Sequence, residues 1–302
     1  MNFGAVLQTA SYDHELSNSP LVVNADLKML ESSGISSIRI DVGYDPWLSS
    51  NLAAISQMNA TIRTVKNDGM KLIIADAAAE SYRHGGQIPW DQFQAAWIQR
   101  VSTLASLYHP DYYVIIKEPG WYVDMVSDSR TNPEFQSVDS WLSLTSKLAS
   151  AVHSVSSNTK MGVAVASDSL GSNPELYVPY LLGVEKMTTI SFIGFDIYSL
   201  SGLTSTAAFL NAHGSGGKSV WIAETWSTDG STALDPSREQ IDASWIQHVC
   251  AFAQGSANAS MIIPFYTNDF AGYYPSTAIP GPSFFSAREP AYYAYKSIIQ
   301  SV

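Results

Sequence analysis

Val114-Ile-Ile-Lys-Glu-Pro119 is a short apolar run closed by a charged pair and a proline. Its length and β-branched content fit a strand buried on both faces, which reads as a continuous apolar run instead of an alternating one. A carboxylic acid where such a strand runs out is poorly explained by packing. The same design returns 106 positions later (224 minus 118), in Val220-Trp-Ile-Ala-Glu224.

Outward from these two runs, short β-branched segments alternate with longer amphipathic ones almost from the first residue, the pattern of a parallel sheet with crossover helices. Eight strands are expected: Phe3–Leu7, Ser37–Val42, Lys71–Ala75, Tyr112–Lys117, Met161–Ala166, Ile190–Ile197, Val220–Glu224 and Met261–Phe265. Helices are predicted over Asn24–Ser33, Asn51–Asn67, Trp90–Tyr108, Val138–Val155, Pro174–Leu182, Thr206–Ala212, Pro236–Gln254 and Arg288–Ile299. Gly34, Gly69 and Pro110 stop the first three. Eight such units close into a ring, so the sequence predicts an α/β fold, a single-domain (β/α)8 TIM barrel over residues 1–302.

An open doubly wound sheet would want a glycine-rich phosphate turn after an early strand. Asn211-Ala-His-Gly-Ser-Gly-Gly217 precedes a strand instead, and is read as a loop at the bottom of the barrel. Residues 266–286, with their Gly, Pro and aromatic side chains, are expected to form a long loop walling the cleft.

Composition narrows the partners. The chain has 302 residues, of which 46% are hydrophobic and 14% charged, with a net charge of −11. No run of lysines or arginines could track a phosphate backbone, which argues against nucleic acid. No stretch approaches the ~18 apolar residues of a membrane span. Cys250, the only cysteine, lies in an apolar-periodic segment and is read as a buried inert thiol. Polarity carried by Ser, Thr, Asn and Tyr fits a secreted protein, and no charged-plus-apolar leader precedes Phe3. The expectation is an extracellular monomer whose leader lies outside this numbering, with a cytoplasmic location as the alternative. Asn59 and Asn258 satisfy the glycosylation acceptor pattern, at close to chance frequency.

In such a barrel the active site lies at the C-terminal ends of the strands. Those ends are polar here: Gln8, Arg39 with Asp41, Asp76, Glu118, Asp168, Asp196 with Tyr198, Glu224 with Trp226, and Tyr266 with Asn268. Glu118 and Glu224 fall on the fourth and seventh strands. Two carboxylates converging on one cleft are what glycoside hydrolysis needs. Asp76 and Asp168 read as loop or capping residues. The six histidines include no pair at the spacing of a zinc helix, and no Gly-x-Ser-x-Gly elbow joins a strand to a helix. Neither a metal nor a cofactor is expected.

Ser37-Ile-Arg-Ile40, Ile116-Lys-Glu-Pro119, Gly194-Phe-Asp-Ile-Tyr198 and Trp221-Ile-Ala-Glu224, in this strand order, resemble the clan A retaining glycosidases. The resemblance implies that Glu118 is the acid/base and Glu224 the nucleophile. It implies further that Arg39 and Tyr198 hold Glu224, with Asp196 on the same face as Tyr198 and either at the substrate or behind it. Lys117 stands where that family usually has an asparagine bonded to the sugar 2-hydroxyl. An ammonium near Glu118 would oppose the acid role, one leaning toward Glu224 would help the nucleophile, and Lys117 could instead donate to a substrate oxygen or pair with a loop carboxylate. Strand eight ends in Phe265-Tyr266 where a tryptophan floor is common.

Trp226, Trp121, Tyr122 and Tyr266 are the expected sugar platforms, with Trp47 an intermediate case and His84 a candidate for the cleft wall. The implied activity is a retaining β-glycanase, of the endoglucanase or mannanase kind, acting on a β-linked poly- or oligosaccharide. A transglycosylase using the same two glutamates, and a barrel that binds carbohydrate without cleaving it, remain as alternatives.

Overall fold

The computed structural model describes residues 1–7, 20–42, 52–76, 89–119, 133–227, 236–265 and 290–302. Eight parallel strands close a barrel in sequence order: β1 (Asn2–Val6), β2 (Ser37–Val42), β3 (Lys71–Asp76), β4 (Tyr112–Lys117), β5 (Lys160–Ala166), β6 (Ile190–Ile197), β7 (Ser219–Thr225) and β8 (Met261–Pro264). β8 closes the ring on β1 through Asn2↔Met261 and Phe3↔Ile262. The expected strand set is therefore present, with ends shifted by one residue at most.

Nine helices lie among the described residues: α1 (Pro20–Ser32), α2 (Leu52–Asn67), α3 (Trp90–Tyr108), α4 (Val138–Val155), α5 (Ser169–Ser172), α6 (Pro174–Glu185), α7 (Leu200–His213), α8 (Pro236–Gln254) and α9 (Pro290–Ser301). Two begin earlier than the sequence suggests. Pro20 opens α1, where a missing N–H costs nothing and the ring fixes a helical φ. Ser199 caps α7, its hydroxyl accepting from the Gly202 N–H at 2.9 Å, so the helix starts at Leu200. The one-turn helix α5 and a 3₁₀ turn at Pro133–Gln136 were not expected.

Apolar side chains divide into two bodies. One fills the layer between strands and helices, including Trp97 and Trp141, both fully buried. The other fills the barrel itself: Val6, Ile73, Ala75, Val114, Ala164, Phe192, Trp221, Ala223, Met261, Ile263 and Phe265. Phe192 and Trp221 stack at 3.7 Å between centroids, with Tyr112 edge-on at 5.0 Å from Trp221. These rings sit at the beginnings of β4, β6 and β7, so the N-terminal end is plugged and the strand ends opposite are left for polar groups.

Candidate active site

Three local irregularities build the site. Between Phe195 and Asp196 the pairing of β6 with β7 shifts by one residue, so Phe195 pairs Ile222 but Asp196 pairs Glu224. Such a bulge re-aims the following side chain and leaves one residue outside the ladder. That residue is Ala223, whose carbonyl accepts from Arg39 Nη1 at 2.7 Å. The β7–β8 pairing also shifts between Ile222 and Thr225. At the end of β4, Glu118 turns away with φ of 49°, a left-handed value uncommon for a residue with a Cβ, while its N–H still donates to the Ala164 carbonyl at 2.9 Å.

Glu224 is buried and heavily engaged. Arg39 Nη2 donates to its Oε1, Lys117 Nζ lies 2.8 Å from the same oxygen, and the Tyr198 hydroxyl donates to Oε2 at 2.7 Å. Arg39 is itself held by Asp41, through Nε to Oδ1 at 2.5 Å and Nη2 to Oδ2 at 2.8 Å, and is fully buried. Lys117 Nζ reaches Asp41 Oδ2 at 3.3 Å and lies 5.1 Å from the centre of the Phe265 ring. Burial would raise the pKa of Asp41, but Arg39 and then Lys117 outweigh it and leave it below the usual range. Tyr198 is raised well above its usual value, by burial and then by the charge of Glu224, so its hydroxyl keeps the proton it donates.

Glu118 has the opposite surroundings. It is half-buried, and its carboxyl makes no hydrogen bond among the described residues. Burial, then the charge of Glu224, raises its pKa to about 7, with Lys117 and Arg39 pulling less strongly the other way. That Glu224 acts on Glu118 electrically puts both carboxyls in one mouth. Asp196 lies beside them, 2% exposed, with no hydrogen-bond partner for either carboxyl oxygen among the described residues. Burial, then the charges of Glu224 and Glu118, raise its pKa well above the ordinary aspartate value.

The structure thus brings together Arg39, Lys117, Glu118, Asp196, Tyr198 and Glu224. Lys117 leans on Glu224 and Asp41. Trp226, expected as a sugar platform, is instead 3% exposed and belongs to the strand–helix core. Ladder pairing ends at Thr225, whose hydroxyl accepts from the Trp245 indole at 3.0 Å, and this outer layer takes in Trp226 as well. Asp168 is a rim anchor, accepting from the Ser199 hydroxyl at 2.7 Å. Trp121, Tyr122, Tyr266, Asn268, Trp47, His84 and Gln8 lie outside the described residues, as does the loop over residues 266–286. Arg39 is at once ion-paired with Asp41 and bonded to Glu224. Asp41 is the functional group that sequence reasoning undervalued: its two-residue spacing from Arg39 on one strand was the available signal.

No protein-family model matches the chain, and no curated protein matches it in sequence. Solved structures do match. A GH30 endoxylanase from Clostridium papyrosolvens superposes with a TM-score of 0.63 at 13% identity, over 99% of this chain and 71% of its own. A GH5 broad-specificity endoglucanase from Clostridium cellulovorans gives 0.63 at 11%, over 98% and 93%. Fungal β-1,4-galactanase gives 0.61 at 12%, over 88% and 89%. The fold is similar to that of these glycoside hydrolases. At these identities the likeness speaks for the barrel and its strand order, and the chemistry has to be argued from the side chains.

Proposed function

We propose that the protein is a retaining glycoside hydrolase, with Glu118 as acid/base and Glu224 as nucleophile, acting on a β-linked oligo- or polysaccharide. The observation that carries this reading is the contrast between the two glutamates. One is a carboxyl lifted to about 7 and free of hydrogen bonds among the described residues. The other accepts from an arginine, a lysine and a tyrosine. Double displacement asks for this division, because the first must deliver a proton to the leaving oxygen while the second attacks the anomeric carbon. The fold neighbours, named as a galactanase, an endoxylanase and an endoglucanase, support a β-glycan as substrate and internal cleavage as the mode.

Glycosylation would proceed by attack of Glu224 Oε2 on the anomeric carbon as Glu118 protonates the departing oxygen. Water activated by the now ionised Glu118 would then release the sugar with its configuration retained. Purified protein is to be screened on β-glucans, galactans, xylans and mannans for new reducing ends. Glu224→Ala is expected to abolish turnover of an activated aryl β-glycoside and azide to restore part of it, the azide entering the space left by the carboxylate and displacing the aryloxide to give the α-glycosyl azide. Turnover unchanged in the variant would remove the assignment, and binding without cleavage across the panel would favour a carbohydrate-binding barrel.

A further inference from the structure

A second cation on a carboxylate that already carries an arginine needs an explanation. Arg39 Nη2 and Lys117 Nζ share the same two acceptors, Glu224 Oε1 and Asp41 Oδ2, so two cations and two carboxylate oxygens alternate around a closed ring. The Lys117 side chain is only 8% exposed, so this is a buried ring, in which charges interact more strongly than in water. It is balanced while Glu224 is ionised. A glycosyl ester on Glu224 would remove one negative charge from that ring and leave two cations with one carboxylate in it. The second cation therefore destabilises the ester and favours the return of charge to the carboxylate.

Resting on the glycosidase reading above, we propose that Lys117 is a positioning residue for the second half of the reaction, acting through Glu224 to expel the sugar from the covalent intermediate. In that step the bond between the anomeric carbon and Glu224 Oε2 breaks and its electron pair returns to the carboxylate. The oxygen of water bonds to the anomeric carbon, and the proton of that water passes to Glu118. Oε1 is the ester carbonyl oxygen meanwhile, polarised by the two cations as charge develops on it, in the manner of a preorganised oxyanion site. Oε2 carries the Tyr198 hydroxyl, so the oxygen that makes and breaks the bond is distinct from the one the cations hold. The first half gains nothing from Lys117, because Glu224 must give up charge to attack. Lys117 also pulls the pKa of Glu118 down, which serves a base more than an acid.

The test uses 2,4-dinitrophenyl β-glycosides of glucose, galactose and xylose, taking whichever the wild type turns over and Glu224→Ala does not; that control establishes the glycosidase reading separately. Lys117→Met is expected to lower kcat by on the order of 10²-fold. KM should fall nearly in parallel, so that kcat/KM stays within about threefold. A burst of one equivalent of dinitrophenol and a glycosyl adduct in the intact mass of the quenched enzyme should accompany it, with azide speeding the steady state. Lys117→Gln, which keeps the volume and a neutral donor, gives the same readout should the Met variant fail to fold. A fall in kcat/KM as large as that in kcat, with no burst and no adduct, would overturn the proposal while leaving the glycosidase reading standing.

Discussion

Replacing Glu118 by glutamine is expected to stabilise the protein at neutral pH and to leave it unchanged in acid. Burial, then Glu224, lifts this carboxyl to about 7 from an ordinary 4.5, so the folded chain holds a proton that the unfolded chain releases. Between those two values the native state binds more protons than the unfolded state, and stability falls as pH rises. The contribution is intact below pH 4.5 and lost once pH passes 7. At about 1.4 kcal/mol for each pH unit between 4.5 and about 7, the loss comes to about 3 kcal/mol. Solvent reaching the half-buried carboxyl makes that a ceiling. Glutamine has nearly the same shape and does not titrate. Urea unfolding of both proteins at pH 4, 6 and 8, followed by tryptophan fluorescence, should give a stability difference near zero at pH 4 that grows to as much as about 3 kcal/mol at pH 8. The same proton places the alkaline limb of kcat/KM near pH 7, with a tenfold fall per unit beyond it. A difference that stays flat between pH 4 and 8 would refute the electrostatic account of Glu118, whatever happened to activity.

Burial and two neighbouring carboxyls push Asp196 toward its protonated form, and an amide donates and accepts as a carboxylic acid does. Asp196→Asn should keep kcat/KM within about tenfold where Asp196→Ala loses on the order of 10²-fold; an Asn variant as inactive as the Ala variant would show that the carboxylate is the working form. In the barrel floor, a Cβ at Gly162 would lie 2.2 Å from the Phe192 ring, which is already stacked on Trp221. Gly162→Ala should therefore cost about 1–3 kcal/mol in urea unfolding, and unaltered stability would mean that the ring has room to move.

The barrel was legible because its strands are short, apolar and punctuated, and because covering both faces of a parallel sheet leaves few other ways to read them. β2 shows this most plainly: all six residues of Ser37–Val42 are buried, Arg39 and Asp41 included. Helix starts were less legible where they depend on one side-chain bond, as at Ser199. The ends of the strands singled out Glu118, Glu224, Arg39 and Tyr198 as candidates, because polar residues that close apolar runs stand out from packing, and the structure brings these four together. What the sequence could not express is how Lys117 chooses between its neighbouring carboxylates. Glu118 is adjacent in the chain, yet the ammonium goes to Glu224 and Asp41, residues 107 and 76 positions away (224 minus 117; 117 minus 41). Trp226 misled for a related reason: it follows the expected nucleophile, and only the tertiary arrangement shows which layer receives it.

The charges in the mouth follow one rule. Arg39, Asp41, Lys117 and Glu224 satisfy one another in a closed ring of ion pairs, which is how buried charges become tolerable. Glu118 and Asp196 stand outside that ring, without an ion pair among the described residues, and both are raised. A barrel interior that provided partners for all of its carboxyls would hold them all as carboxylates and would have no proton to give. By tying two acids to two cations and leaving two acids to burial and mutual repulsion, the same few strands set ion-paired carboxyls beside carboxyls whose pKa is raised. The stability given up at Glu118 is thus the physical counterpart of the acid role proposed for it, and the plugged, aromatic floor of the barrel supplies the rigidity that lets that imbalance persist.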